Sequence, residues 1–111
     1  MSAKLVIGNV DLFPFNGDAA VTGNNNLAVG KDALTSHTSG SNVTAVGAFA
    51  LDSNTTASNN SAFGYGSLGS NITGTQLTAV GVNALTSNTT GSFNIATGHA
   101  ALTANTTGQF N

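Results

Sequence analysis

Glycine returns every 17 residues along most of this chain, at Gly30, Gly47, Gly64, Gly81 and Gly98. Two residues before each stands an alanine: Ala28, Ala45, Ala62, Ala79 and Ala96. Four residues after each stands a leucine: Leu34, Leu51, Leu68, Leu85 and Leu102. Each unit closes on an Asn-Thr-Thr-Gly-like tetrapeptide, such as Asn88-Thr89-Thr90-Gly91. Five units, 24–40, 41–57, 58–74, 75–91 and 92–108, follow one another without insertion or deletion, and 109–111 opens a sixth. A period that never slips means that each unit fills the same geometric cell against its neighbour, because loops between independent elements tolerate changes of length.

Helical units do not fit. Glycine sits mid-unit, β-branched Thr is abundant, and no apolar stripe at i, i+3, i+4, i+7 extends far. Short alternating runs do recur: Leu27-Ala28-Val29, Thr44-Ala45-Val46, Ser61-Ala62-Phe63, Thr78-Ala79-Val80 and Ile95-Ala96-Thr97. In a strand the alanine points to one face and its larger neighbours to the other. The glycine that follows suits a bend or close backbone approach, and Asn-Thr-Thr-Gly suits a turn with glycine at positive φ. The expected fold is therefore all-β: a parallel β-solenoid of five 17-residue coils, with equivalent strands pairing at ~4.8 Å per coil. Its core is Ala28, Gly30, Leu34, Ala45, Gly47, Leu51, Ala62, Gly64, Leu68, Ala79, Gly81, Leu85, Ala96, Gly98 and Leu102. A three-faced hexapeptide helix is the other geometry considered, since Ala28, Leu34 and Gly40 are six apart.

Such a filling is thin for 17 ordered residues per coil, and the opposite strand face (Leu27, Val29, Val46, Phe63, Val80, Ile95) is apolar enough to need cover. Association of several rods side by side is the economical solution.

The units Asn26-Leu27-Ala28-Val29-Gly30-Lys31-Asp32-Ala33-Leu34 and Val43-Thr44-Ala45-Val46-Gly47-Ala48-Phe49-Ala50-Leu51, with their copies, resemble the head repeats of YadA-type trimeric autotransporter adhesins. They are closer still to the N-T-A-x-G-x-x-A-L-x-x-N-T-T-G arrays of bacteriophage tail-fibre and surface-fibre proteins. The resemblance covers 24–111. It implies a left-handed β-roll that trimerises about its long axis, with fibre building or adhesion as the role, in a virion tail fibre or at a cell surface. Adhesin heads usually have shorter repeats and come with a signal peptide, a coiled-coil stalk and a membrane-anchoring barrel. None of these is found in the 111 residues, so a virion component or a fragment is expected.

Composition narrows the function classes. Two lysines, no arginine and a formal net charge of −2 exclude an electrostatic grip on nucleic acid or anionic lipid. No apolar run approaches the length needed to cross a bilayer. With no Cys there is neither a disulfide framework nor a Cys-based metal site. The four aspartates fall at unrelated repeat positions, Asp32 and Asp52 make no obvious pair, and no Glu exists to complete a two-carboxylate site. His37 in a turn and His99 after a glycine lie four coils apart and read as solvent-facing. Neither an enzyme activity nor a cofactor is expected. Six N-x-[ST] sequences occur, four of them at the same turn position, and turn chemistry accounts for them better than glycosylation.

Recognition, if present, belongs at the outward positions that differ in every coil. Phe49, Tyr65 and His99 are the candidates, for a cell-surface receptor or glycan or for the trimer interface. A hydroxyl ladder through Ser36-x-Thr38, Ser53-x-Thr55 and their copies suggests an ice-binding face as a lower alternative. Residues 1–23 fall outside the period and read as a cap or docking segment, with Leu5, Val6, Ile7, Phe13 and Phe15 as docking candidates. Phe110, three residues into the sixth unit, is a docking candidate at the other end, for a further copy stacked head to tail or a fibre base protein.

Overall fold

A computed structural model describes residues 23–111. The expectations placed on 1–22, including docking by Leu5, Val6, Ile7, Phe13 and Phe15, lie outside the described residues. Five strands form, one per unit: β1 (Leu27–Val29), β2 (Thr44–Val46), β3 (Asn60–Phe63), β4 (Leu77–Val80) and β5 (Ile95–Thr97). They make one parallel sheet in chain order, and the register pairs each residue with its copy 17 positions on, Ala28 with Ala45 through Ala79 with Ala96. The described residues contain no helix. The fold is a β-solenoid with one strand per described coil, so the three-stranded coil of a hexapeptide helix is not adopted.

The rest of each coil also pairs with the next. Leu34 N–H donates to the Ala50 carbonyl (3.1 Å), Ser36 to Asp52 (3.2 Å) and Thr38 to Thr55 (2.9 Å). These bonds recur with the period, as in Leu51 to Ser67 and Leu68 to Ala84. Serine hydroxyls take the N–H at the start of several coils, Ser41 that of Asn24 and Ser58 that of Ser41.

Bending 17 residues into such a coil needs left-handed backbone at fixed places. Among the described residues, fifteen other than glycine have positive φ, in three columns: the Asn25 column, the Asp32 column and the leucine column of Leu34, Leu51, Leu68, Leu85 and Leu102. Leucine at φ near 50° costs on the order of 1 kcal/mol, and burial of the side chain offsets it. The glycines after the strands lie at φ 126–132°, a region that side chains rarely adopt. At Gly47 a Cβ would also stand 2.6 Å from the Gly64 carbonyl carbon and 2.7 Å from its oxygen, so the coils touch there backbone to backbone.

The turn glycines Gly40, Gly74, Gly91 and Gly108 correct an expectation: none has positive φ. They are small because of close stacking, since a Cβ on Gly74 or Gly91 would strike the carbonyl oxygen of Gly91 or Gly108. Ala57 shows that one methyl is held in this column, buried.

Ala28, Ala45, Ala62, Ala79 and Ala96 are buried, as are Leu34, Leu51, Leu68 and Leu85. Leu102 is 39% exposed and Gly98 is exposed, because no described coil covers them from above. Gly30 is buried, and Gly47, Gly64 and Gly81 are half-buried. Val43, Leu77 and the small residues Ala33, Ala50, Ser67 and Ala84 complete the apolar part of the interior.

A column of amides fills the remainder. Asn54, Asn71 and Asn88 are fully buried. Nδ2 of Asn71, Asn88 and Asn105 donates to Oδ1 of the asparagine one coil earlier, at 3.2, 3.0 and 2.8 Å. Each also donates to the carbonyl three residues on, Gly74, Gly91 and Gly108. The column begins at His37, which is 4% exposed, so the expected solvent-facing ring is in fact interior. Its Nε2 lies 2.7 Å from the Gly40 carbonyl, which assigns the proton to Nε2 and leaves Nδ1 to accept from Asn54 Nδ2 at 3.3 Å. His37 thus stands in for asparagine in both of that residue's roles.

A second interior column alternates Asn26, Val43, Asn60, Leu77 and Asn94. Its asparagines stitch the start of a coil to its end, Asn60 Nδ2 donating to the Gly74 carbonyl at 2.9 Å. They also accept from the next coil, Asn60 Oδ1 taking the Leu77 N–H at 3.1 Å. No buried side-chain nitrogen or oxygen among the described residues lacks a partner.

Gly47→Ala is expected to lower the free energy of unfolding by about 3 kcal/mol or more, combining backbone strain with a clash against Gly64. Ala100→Gly, at φ 58°, is expected to raise it by roughly 0.5 kcal/mol, the reverse of the usual sign for this substitution. Urea denaturation of both variants checks the pair. Asn71→Leu removes one of the two acceptors of Asn88 Nδ2 and the nearer of the two donors to Asn54 Oδ1. The expected loss is about 2–4 kcal/mol in the same measurement, against well under 1 kcal/mol for a solvent-exposed turn asparagine.

Candidate functional site: the outer sheet face and its aromatic corner

Because strand side chains alternate, burying the alanines turns two columns outward. One is Leu27, Thr44, Ser61, Thr78 and Ile95; the other is Val29, Val46, Phe63, Val80 and Thr97. Together they form a strip running the length of the stack. Phe63 is 42% and Ile95 65% exposed, Leu27 and Val80 are exposed, and Val29 and Val46 are half-buried.

After the glycine bend, each coil offers one more outward residue: Lys31, Ala48, Tyr65, Val82 or His99. The next residue takes the left-handed conformation, and there Phe49 leans toward the following coil. Its ring meets Tyr65 edge to face, with centroids 5.6 Å apart and an interplanar angle of 76°. Lys31 Nζ stands 6.0 Å from the centroid of the Phe49 ring. Three coils thus contribute to one aromatic corner. Tyr65 is 53% exposed and Phe49 half-buried, while exposed His99 lies two coils beyond Tyr65 and outside this cluster. Gly66 follows Tyr65, and the Asn83 side chain closes over it, leaving no room for a Cβ.

A second stacked surface lies on the exposed Asn25 column. Asn25 Nδ2 donates to Asn42 Oδ1 (3.2 Å) and Asn42 Nδ2 to Asn59 Oδ1 (3.1 Å). Farther along the column, Phe93 and Phe110 stack at 5.0 Å with planes 7° apart. Phe110 is exposed and packs on its own chain's previous coil.

The two aspartates are closer in effect than their spacing suggested. Burial pushes the Asp52 carboxyl above its ordinary 3.8, and the charge of Asp32 pushes the same way. Hydrogen bonding from the backbone of Asp52 and Ser53 pulls it down by less. Asp32 itself accepts from the Thr35 hydroxyl at 3.5 Å. No group of three or more His, Asp or Glu side chains with metal-binding geometry forms among the described residues.

In the hydroxyl ladder Thr38 and Thr89 donate their hydroxyls to the carbonyls of Thr55 and Thr106, and no strand runs through the segment among the described residues.

The interior amide columns escaped sequence reasoning, although a signal was present. Asn26, Asn60 and Asn94 share one column with Val43 and Leu77, and a position that exchanges asparagine for leucine on an unbroken period faces inward. The chain matches no protein-family model, no curated protein and no solved structure.

A carboxyl whose value is raised by folding costs stability as pH rises through and above 3.8, where the ionised form has to be held in the folded chain. Asp52→Asn is therefore expected to raise Tm at pH 7 and to flatten the decline in Tm on going from about pH 4 toward neutrality. Thermal denaturation across that range checks it.

Proposed function

We propose that this chain is a structural fibre or adhesin-type module, a rigid β-roll that associates as a homotrimer along its outer sheet face. The observation that carries the reading is the strip of Leu27, Val29, Val46, Phe63, Val80 and Ile95, which the described residues leave exposed or half-buried while the interior of the stacked coils is already filled. Apolar strips of this continuity mark association surfaces. The left-handed coil and threefold symmetry are the finer parts of the proposal, and the repeat resemblance supports them. A phage tail fibre or an external filament is the setting that fits a neutral shaft with identical rungs. Its work there is mechanical: it holds surfaces at a distance and presents them in several copies.

The aromatic corner favours a second reading, a receptor or glycan contact. Tyr65 and Phe49 present ring edges and faces beside a cation, a chemistry that suits stacking on sugar rings.

Sedimentation equilibrium of the full chain is expected to return three times the protomer mass of 10.9 kDa. Val80→Asp is expected to shift the population to single protomers by burying an unpaired charge. Replacing Phe49 and Tyr65 together with Ala separates the two readings: an intact trimer that no longer binds cells or glycan assigns the corner to recognition, and a lost trimer assigns it to assembly.

A further inference from the structure

We propose that Ser61 and Phe63 form a knob and hole that set the level at which neighbouring copies of this chain meet, parallel and coil against matching coil. The proposal rests on the self-association reading above and adds register and polarity to it. Along the outer strip the two columns compensate in size. Coil three places the smallest residue of one column, Ser61, beside the largest of the other, Phe63. Coil five does the opposite, with Ile95 beside Thr97. Under rotation about an axis parallel to the stack, the Leu27 column of one copy faces the Val29 column of the next. At equal height Phe63 then stands over the neighbouring copy's Ser61, and Ile95 over its Thr97. A slip of two coils sets Phe63 against Leu27 or Ile95, and a slip of one leaves Ser61 facing a valine across a gap. Two copies related by a perpendicular axis through coil three place one Phe63 against the other.

Area favours the same arrangement. The strip covers roughly 24 Å by 10 Å, five rungs at the usual strand spacing. That is far below the ~800 Å² per partner of a stable interface. A single pairing has no rung to spare, and a slipped one gives up a fifth of a small surface. A ring in which each copy uses both flanks of the strip recovers area that one pairing lacks.

The chain has no cysteine of its own, which makes cross-linking clean. Thr78→Cys and Val80→Cys chains, refolded together and oxidised, are expected to join efficiently, because these positions share a level. Thr78→Cys with Thr97→Cys, one coil apart, and Thr78→Cys with Val46→Cys, two coils apart, are expected to stay unlinked. Ser61→Phe is expected to raise the dissociation constant about tenfold or more by filling the hole. The exchange Ser61→Phe with Phe63→Ser is expected to restore most of the affinity, and circular dichroism checks that both variants keep the coil. Equal cross-linking at all levels, or unchanged association of Ser61→Phe, overturns the register assignment while leaving self-association in place. A wild-type chain that sediments as single protomers overturns both.

Discussion

Everything in this molecule depends on a backbone that meets its own copy one coil away. Hydrogen bonds around the perimeter connect atoms about 17 residues apart, as do those within the amide column. The closest approach is at the glycines after the strands, where even a methyl would enter the next coil's carbonyl. Such a stack repeats each chemical group at ~4.8 Å, so any property of one rung is multiplied along its column. For a neutral amide this is favourable, because each donor finds the acceptor of its copy. For a charge it is not: like charges at that distance repel by about 1 kcal/mol even in water. The scarcity of charged residues, 5% of the chain, suits such a lattice. Asp52 carries the cost of partial burial first, which raises its carboxyl above 3.8, and the charge of Asp32 on the adjacent coil adds a smaller push the same way.

The same lattice overrides local backbone preference. Asparagine in the Asn25 column accepts positive φ readily, and there sequence preference and geometry agree. Leucine does not, yet it occupies the left-handed position in all five coils. The reason is directional, since that position turns the side chain into the narrow interior where four of the five leucines are wholly buried. Strain and burial are set by the same torsion angle.

Much of the fold was legible because a strict period leaves few choices. It located the coils and the strands to within a residue and turned the alanines inward. Chemistry common to two environments was harder to read. Asn-Thr-Thr-Gly describes a turn whether the asparagine points to water or to the core, and Asn54, Asn71 and Asn88 point to the core. Turn glycine at positive φ and turn glycine under a close neighbour give the same letter, and the second is what Gly74 and Gly91 show. His37 read as a lone solvent-facing imidazole because its column partners are asparagines, and equivalence of histidine and asparagine appears only when the hydrogen bonds are traced. The aromatic corner was legible only as a set of variable positions. That Phe49 reaches Tyr65 depends on the left-handed bend just before the leucine, which composition does not reveal.

A coil stack of this kind satisfies its polar groups along one axis and leaves its apolar surplus on another. Along the stack, each interior amide and leucine needs the coil above it; Leu102 and Asn105, in the last described coil, are correspondingly less buried than their copies. Across the stack no such completion comes from the described residues, since the outer strip faces away from every described coil. The two directions have different chemistry as well. Growth along the axis is cemented by hydrogen bonds of fixed geometry, which tolerate no change of spacing. Association at the side depends on area and shape, which tolerate varied residues so long as their volumes compensate. This division explains how the alanine, glycine and leucine columns stay nearly uniform while the outer columns run from serine to phenylalanine on the same frame.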